Sequence, residues 1–207
     1  MVAQGLIKTS AAIILSPLFG MLLALILMIL VLWIFEKSSP YPTERRFNKL
    51  QFMSSSLYSL GHGGNDAQKT MGIIAVLLYA NGYIQGDFHV PFWVVISCQI
   101  AMAAGTLFGG WRIVRTMGMG ITRIRPSGGF CAQTSGAIAL FLATSLGIPV
   151  STTHTITGAI IGVGLSRRVS AVRWGLASRI VWAWVLTIPC AALISAVCYH
   201  FALALKM

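Results

Sequence analysis

"PSGGFCAQTSGAIALFLATSLGIPVSTTHTITGAIIGVGLS", residues 126–166, contains no Asp, Glu, Lys or Arg across 41 residues, and Arg125 and Arg167 close it at the two ends. One bilayer crossing takes ~20 apolar residues, so two crossings plus a turn barely fit. The charges outside the run decide between one passage and a return. With the amino end placed outside, Lys37, Arg45, Arg46 and Lys49, then Arg112, Arg115, Arg123 and Arg125, then Arg167, Arg168, Arg173 and Arg179 all fall inside. Lys8 and Lys206 fall outside, Lys69 lies within the membrane, and the outer loop 81–90 has no Lys or Arg. This is the positive-inside distribution. Arg125 and Arg167 therefore share a face, and the segment between them must enter and return. Gly147 and Pro149 interrupt its middle as helix breakers. A re-entrant hairpin of two half-helices with its tip near mid-membrane is expected, with two short spans as the alternative.

The rest of the chain has the same character. Of 207 residues, 57% are hydrophobic and 9% charged, against about 25% charged in soluble domains. Further uncharged runs cover 9–35, 88–111 and 180–205. The first exceeds the 7–15-residue core of a secretory signal and has no Ala-x-Ala site, so it reads as a retained span. An all-α, polytopic membrane protein follows, a single membrane domain over 1–207. Its spans are expected near 9–35, 51–81 and 90–111, with the hairpin at 128–165 and a final span at 177–204. Trp33, Trp111 and Trp174 fall near the inner boundary, and Phe88, Trp93 and Tyr199 near the outer one. The net charge of +11 sits in the inner loops, which argues against a nucleic-acid partner. Cys98, Cys131, Cys190 and Cys198 lie in or beside apolar runs without a C-x-x-C pattern, and are expected to be free, buried thiols with no metal site.

"GHGGNDAQKTMG", residues 61–72, is the exception to the apolar pattern. Each Gly costs a helix interior roughly 1 kcal/mol relative to Ala, so Gly61, Gly63 and Gly64 predict an unwound or sharply bent stretch, a broken helix. Irregular backbone survives at membrane depth only where protein buries it or where it lines a cavity. Of the four acids, Glu36 and Glu44 sit among inner-loop basic residues and Asp87 in the outer loop, leaving Asp66 alone in the membrane. A carboxylate there costs ~2.5–3.5 kcal/mol and by default marks an ion path. An ion pair with Lys69, one turn on, is the plainer reading, and the two are compatible. His62 could titrate near neutral pH or serve as a structural hydrogen-bonding group. Asn65 both donates and accepts.

The hairpin supplies the complementary chemistry. Ser151, Thr152 and Thr153 follow Pro149 and open the second half-helix, whose amino end carries free N–H groups and partial positive charge. Such ends bind phosphate-like anions. Gln133, Thr134 and Ser135 add neutral donors from the other arm. Thr155 and Thr157 are expected to bond back to their own helix. Gly105-x-x-x-Gly109 and Gly158-x-x-x-Gly162 have the spacing that lets helices approach closely. A hydrolase built from Asp66, His154 and Ser151 would be the enzyme alternative, but no G-x-S-x-G elbow surrounds Ser151, and no enzyme is expected.

On these two motifs, 61–72 and "AQTSGAIALFLATSLGIPVSTTHTITGAIIGVG" (132–164), the chain resembles the PiT family of inorganic phosphate transporters, in the form of that family's carboxy-terminal repeat. The resemblance implies phosphate symport with Na⁺ or H⁺ by two inverted repeats, each giving an Asn-Asp motif and a hairpin to a central site. It implies no cofactor beyond the coupling cation. It places Asn65 and Asp66 as coupling-ion and phosphate contacts. Ser151, Thr152, Thr153, Gln133, Thr134 and Ser135 would line the phosphate pocket, with His62, Lys69 and His154 in support. Family members carry two Asn-Asp motifs and this chain one, so a first-half repeat, from the same gene or a separate chain, is the expected partner besides phosphate, membrane lipid and further copies in an oligomer. A remnant or structural subunit is the alternative. The compact loops suggest a bacterial inner (plasma) membrane.

Overall fold

The computed structural model describes residues 2–205, all helix and connecting loop, with no strand among them. Lys206, expected outside, lies beyond the described residues. Six α-helices run in order: α1 (Val2–Ile34), α2 (Pro40–Ala80), α3 (Phe92–Arg115), α4 (Pro126–Ser145), α5 (Thr152–Leu165) and α6 (Trp174–Leu205). A π-helical turn, Thr116–Gly120, ends α3, and a short 3₁₀ turn, Val169–Ala171, precedes α6. Three helices are long and apolar enough to cross a membrane: α1, α3 and α6. α2 has the length for a span but a far more polar composition, because one face serves the hairpin.

The run 126–166 folds as α4 and α5 with a break between them. At the end of α4, Gly147 takes φ +64°. Its N–H donates to Thr144 (3.1 Å) and that of Ile148 to Ala143 (2.9 Å), a Schellman closure that only a left-handed residue allows. Pro149 keeps the next residues extended, and Ser151 caps α5 by accepting from the His154 N–H at 3.4 Å. At the other end, the base is stitched together: Arg173 N–H donates to Ile121 (2.8 Å), Thr122 Oγ1 to Ala171 (3.0 Å) and Arg167 to Arg123 (3.2 Å). Both ends of the hairpin thus share one face. The 14 residues of α5 reach about 21 Å, short of the ~30 Å hydrocarbon layer.

Around the hairpin the other helices find their places by side-chain size. α1 runs along α5 with its backbone almost touching it: a Cβ on Gly158 or Gly162 would collide with the carbonyls of Pro17 and Met21, and one on Gly20 would meet the Thr155 carbonyl at 2.5 Å. α2 packs along α4, and α3 on the outer half of α2 through Ala67, Met71, Val94 and Cys98. The main core lies at the base, where Met28, Ile121, Cys131, Ala159 and Val163 are buried together. Glu44 ties α2 to that base. Its carboxylate accepts from the Ser127 N–H (3.1 Å) and Oγ (3.0 Å), a charged cap on the amino end of α4. α6 touches this assembly through Leu176, Ile180 and Trp184 and is otherwise exposed nearly throughout.

Two expectations are corrected here. The chain is not unwound at 61–64: α2 is continuous from Pro40 to Ala80 and begins well before residue 51. Opening the ladder inside a membrane would strand N–H and C=O groups at several kcal/mol each, more than the helix propensity three glycines forfeit. Gly61 instead brings α4 close, since a Cβ there would already touch Leu140 at 3.4 Å. Cys190 and Cys198, expected to be buried, are exposed, because α6 has so little protein around it.

Candidate functional site

Continuity of α2 determines the geometry. In an unbroken helix, residues 62, 66 and 69 lie on one face, one turn apart, and that face meets the hairpin tip. The Asp66 carboxylate is fully engaged. Oδ1 accepts from Lys69 Nζ at 2.8 Å, Oδ2 accepts from Thr152 Oγ1 at 2.8 Å, and His62 Nε2 stands 3.0 Å from Oδ2. Lys69 also donates to the Val150 carbonyl (2.9 Å), which Asn65 Nδ2 reaches from the other side at 3.1 Å. Three residues of one helix, Asn65, Asp66 and Lys69, thus grip Val150 in the extended stretch and Thr152, the first residue of α5. Tyr58, one turn below His62, extends the contact with its hydroxyl 3.3 Å from the Thr152 carbonyl.

From this cluster a groove of about 980 Å³ descends between α2, α3 and the hairpin. Its head is polar, with Thr152, Thr153, His62, Tyr58 and Gln133, and its lower walls are mainly apolar down to Arg115. Thr153 is exposed, beside the first N–H groups of α5, which no helix supplies with acceptors. An anion reaching the head of the groove meets these donors first, and Asp66 stands behind Thr152.

The sequence-derived residues divide clearly. Asn65, Asp66, His62, Lys69 and Thr152 come together, with Ser151 as the cap and Thr153 on the groove. Gln133 also faces the groove, its Oε1 accepting from Ser54 at 2.9 Å. Thr134 and Ser135 do not join them: Ser135 is fully buried and bonds back to Cys131 (2.7 Å), and the buried Thr134 hydroxyl has no partner among the described residues. Three successive helical residues cannot all face one side, and Gln133 is the one that does. His154 points elsewhere, its ring 3.8 Å from that of Trp184, so Asp66, His154 and Ser151 form no triad. Thr155 and Thr157 bond back to Ser151 (2.9 Å) and Thr153 (2.6 Å). The sequence reading missed Tyr58, Ser54 and the Val150 carbonyl. The spacing of Ser54, Tyr58, His62 and Asp66, every fourth residue, could have exposed the first two.

A charged cluster held against a helical hairpin, inside an all-helical chain with apolar spans, marks a membrane protein with a polar site in its interior. The model of the phosphate transporter family matches residues 36–195, and the chain belongs to that family. It is 67% identical over 199 residues to a probable low-affinity inorganic phosphate transporter of Rhizobium meliloti (strain 1021), covering 96% of this chain and 60% of that protein. It is 42% identical over 196 residues to a protein of the same description from Bacillus subtilis (strain 168), covering 95% and 59%. Among solved structures it is similar to one described as the sodium-dependent phosphate transporter, with a TM-score of 0.64 and 25% identity, over 89% of this chain and 59% of that one. The chain therefore spans about 60% of the length of these two curated relatives.

Proposed function

We propose that this chain forms the carboxy-terminal portion of an inorganic phosphate transporter of the plasma membrane, working with a first-half repeat and moving phosphate together with a cation, Na⁺ or H⁺. The observation that carries the reading is the 2.8 Å hydrogen bond from Thr152 to Asp66, which fixes the amino end of α5 at the head of the groove. Phosphate oxygens take the free N–H groups at the start of α5 and the Ser151 and Thr153 hydroxyls, with Gln133 beside them. Asn65 and Asp66 hold that end in place and link its occupancy to positive charge. The cluster pairs Asp66 with Lys69 at 2.8 Å and so offers an anion little excess positive charge, which a co-bound cation would supply. That dependence is what symport requires. Rocking of this repeat against the other would alternate access. The 25%-identical structural neighbour is described as sodium-dependent, which favours Na⁺.

The test is phosphate uptake by the chain assembled with a complete first half. Hydrogen bonds to charged groups contribute about 1.5–3 kcal/mol, so Thr152→Ala should weaken apparent phosphate affinity roughly 10- to 150-fold. Asp66→Asn removes the carboxylate that holds Thr152 and should weaken apparent affinity at least as much. Unchanged affinity in both variants would remove the cluster from transport.

A further inference from the structure

Asp66 looks like a coordination site for a small cation, yet the position is taken. Its Oδ1 and the Val150 carbonyl converge on one point, and the Lys69 ammonium occupies it, 2.8 Å from the first oxygen and 2.9 Å from the second. The Val150 carbonyl lies in the extended stretch between α4 and α5, where no helical N–H reaches it, and its partners are the Lys69 and Asn65 side chains. A carboxylate oxygen beside a bare peptide carbonyl at a helix break is the donor pair transporters offer to Na⁺. The other carboxylate oxygen is held by Thr152 and His62.

We propose that Lys69 is a tethered cation standing in for a free one: its ammonium permanently fills a monovalent-cation position formed by Asp66 Oδ1 and the Val150 carbonyl. In this repeat a coupling ion therefore does not bind Asp66 directly. The inference deepens the transport reading and rests on it only for its meaning, since the position is defined by geometry alone. Three features fit a surrogate. Lysine is a compact point charge on a flexible stem, it carries the single charge of an alkali ion, and the i, i+3 placement lets it fold onto Asp66 without leaving its own helix. Half-exposure of the side chain (45%) leaves room for a free ion to enter once the ammonium is gone. The consequence is functional. Coupling ions must bind elsewhere or act through His62, and the tip of the hairpin stays anchored to α2 whether or not the ion gradient is present.

The test reads thermal unfolding of the full chain in detergent, in NaCl against choline chloride at equal ionic strength. The wild-type protein should melt at the same temperature in both. Lys69→Met should melt lower in choline and recover saturably with Na⁺, by about 5–10 °C at a hundredfold excess over the dissociation constant. Methylammonium should restore it as well, and adding Asp66→Asn should erase the response. Lys69→Gln serves the same purpose if the Met variant does not purify. Two results would overturn the idea: a Lys69 variant indifferent to Li⁺, Na⁺, K⁺ and methylammonium, or a wild-type protein whose Na⁺ stabilisation disappears in Asp66→Asn. Neither reading involves phosphate or a first half. Failed uptake in the assembled transporter would leave these melting curves unchanged, so the two proposals fail separately.

Discussion

Gly158-x-x-x-Gly162 on α5 and Gly105-x-x-x-Gly109 on α3 are the same pattern with opposite outcomes. At the first, the backbone of α1 lies so close that the Pro17 and Met21 carbonyls occupy the space a side chain would need. At the second, an added Cβ would find nothing within 4 Å, and neighbouring Phe108 is 88% exposed. α5 is a short helix surrounded by protein, and its small residues are a requirement. α3 carries its glycines on a face that nothing among the described residues covers, beside the groove. Glycine spacing permits close approach, but only the neighbour opposite turns the permission into a contact.

Substitutions that fill these notches should separate the two helices sharply. Gly158→Leu drives a branched side chain into the Pro17 backbone, which cannot yield as a side chain would. The expected cost exceeds about 4 kcal/mol, the range of exceptional substitutions, and size-exclusion chromatography in detergent should show no folded protein. Gly162→Ala adds one methyl against the Met21 carbonyl and should cost about 1–3 kcal/mol, lowering the melting temperature by roughly 2–12 °C. Gly105→Ala with Gly109→Ala should do the reverse in this chain. Each removes a flexible residue from a helix interior and gains about 0.5–1 kcal/mol, a small rise in melting temperature. If the same pair lowered stability only when a first-half repeat is present, the α3 face would be where that partner sits, and the comparison would gain its missing half.

The polar residues divide along the same line. The hairpin was legible because its determinants are local: charge on both flanks, Gly147 free to adopt positive φ, Pro149 without an N–H, and Ser151 able to cap. Asp66 was legible because a lone carboxylate in an apolar run is costly enough to demand a reason. The error at Gly61–Gly64 arose from reading propensity without tertiary context. Helix propensity is worth about 1 kcal/mol per glycine, whereas the closed backbone ladder and the face of α4 are worth more inside a membrane. The side-chain directions of Gln133, Thr134 and Ser135 were not legible as a group, since neighbours on a helix point about 100° apart and the register depends on where α2 lies.

The sequence by itself determined a helical membrane protein, the returning segment and the identity of the acid at its tip, because hydrophobicity, charge and turn chemistry act over a few residues. Only the tertiary structure decided that α2 stays whole, that Lys69 and Thr152 divide the two oxygens of Asp66 between them, and that one glycine pair is buried while its twin stands open. Those outcomes depend on which surfaces meet across more than eighty residues of chain, and no local preference encodes that meeting.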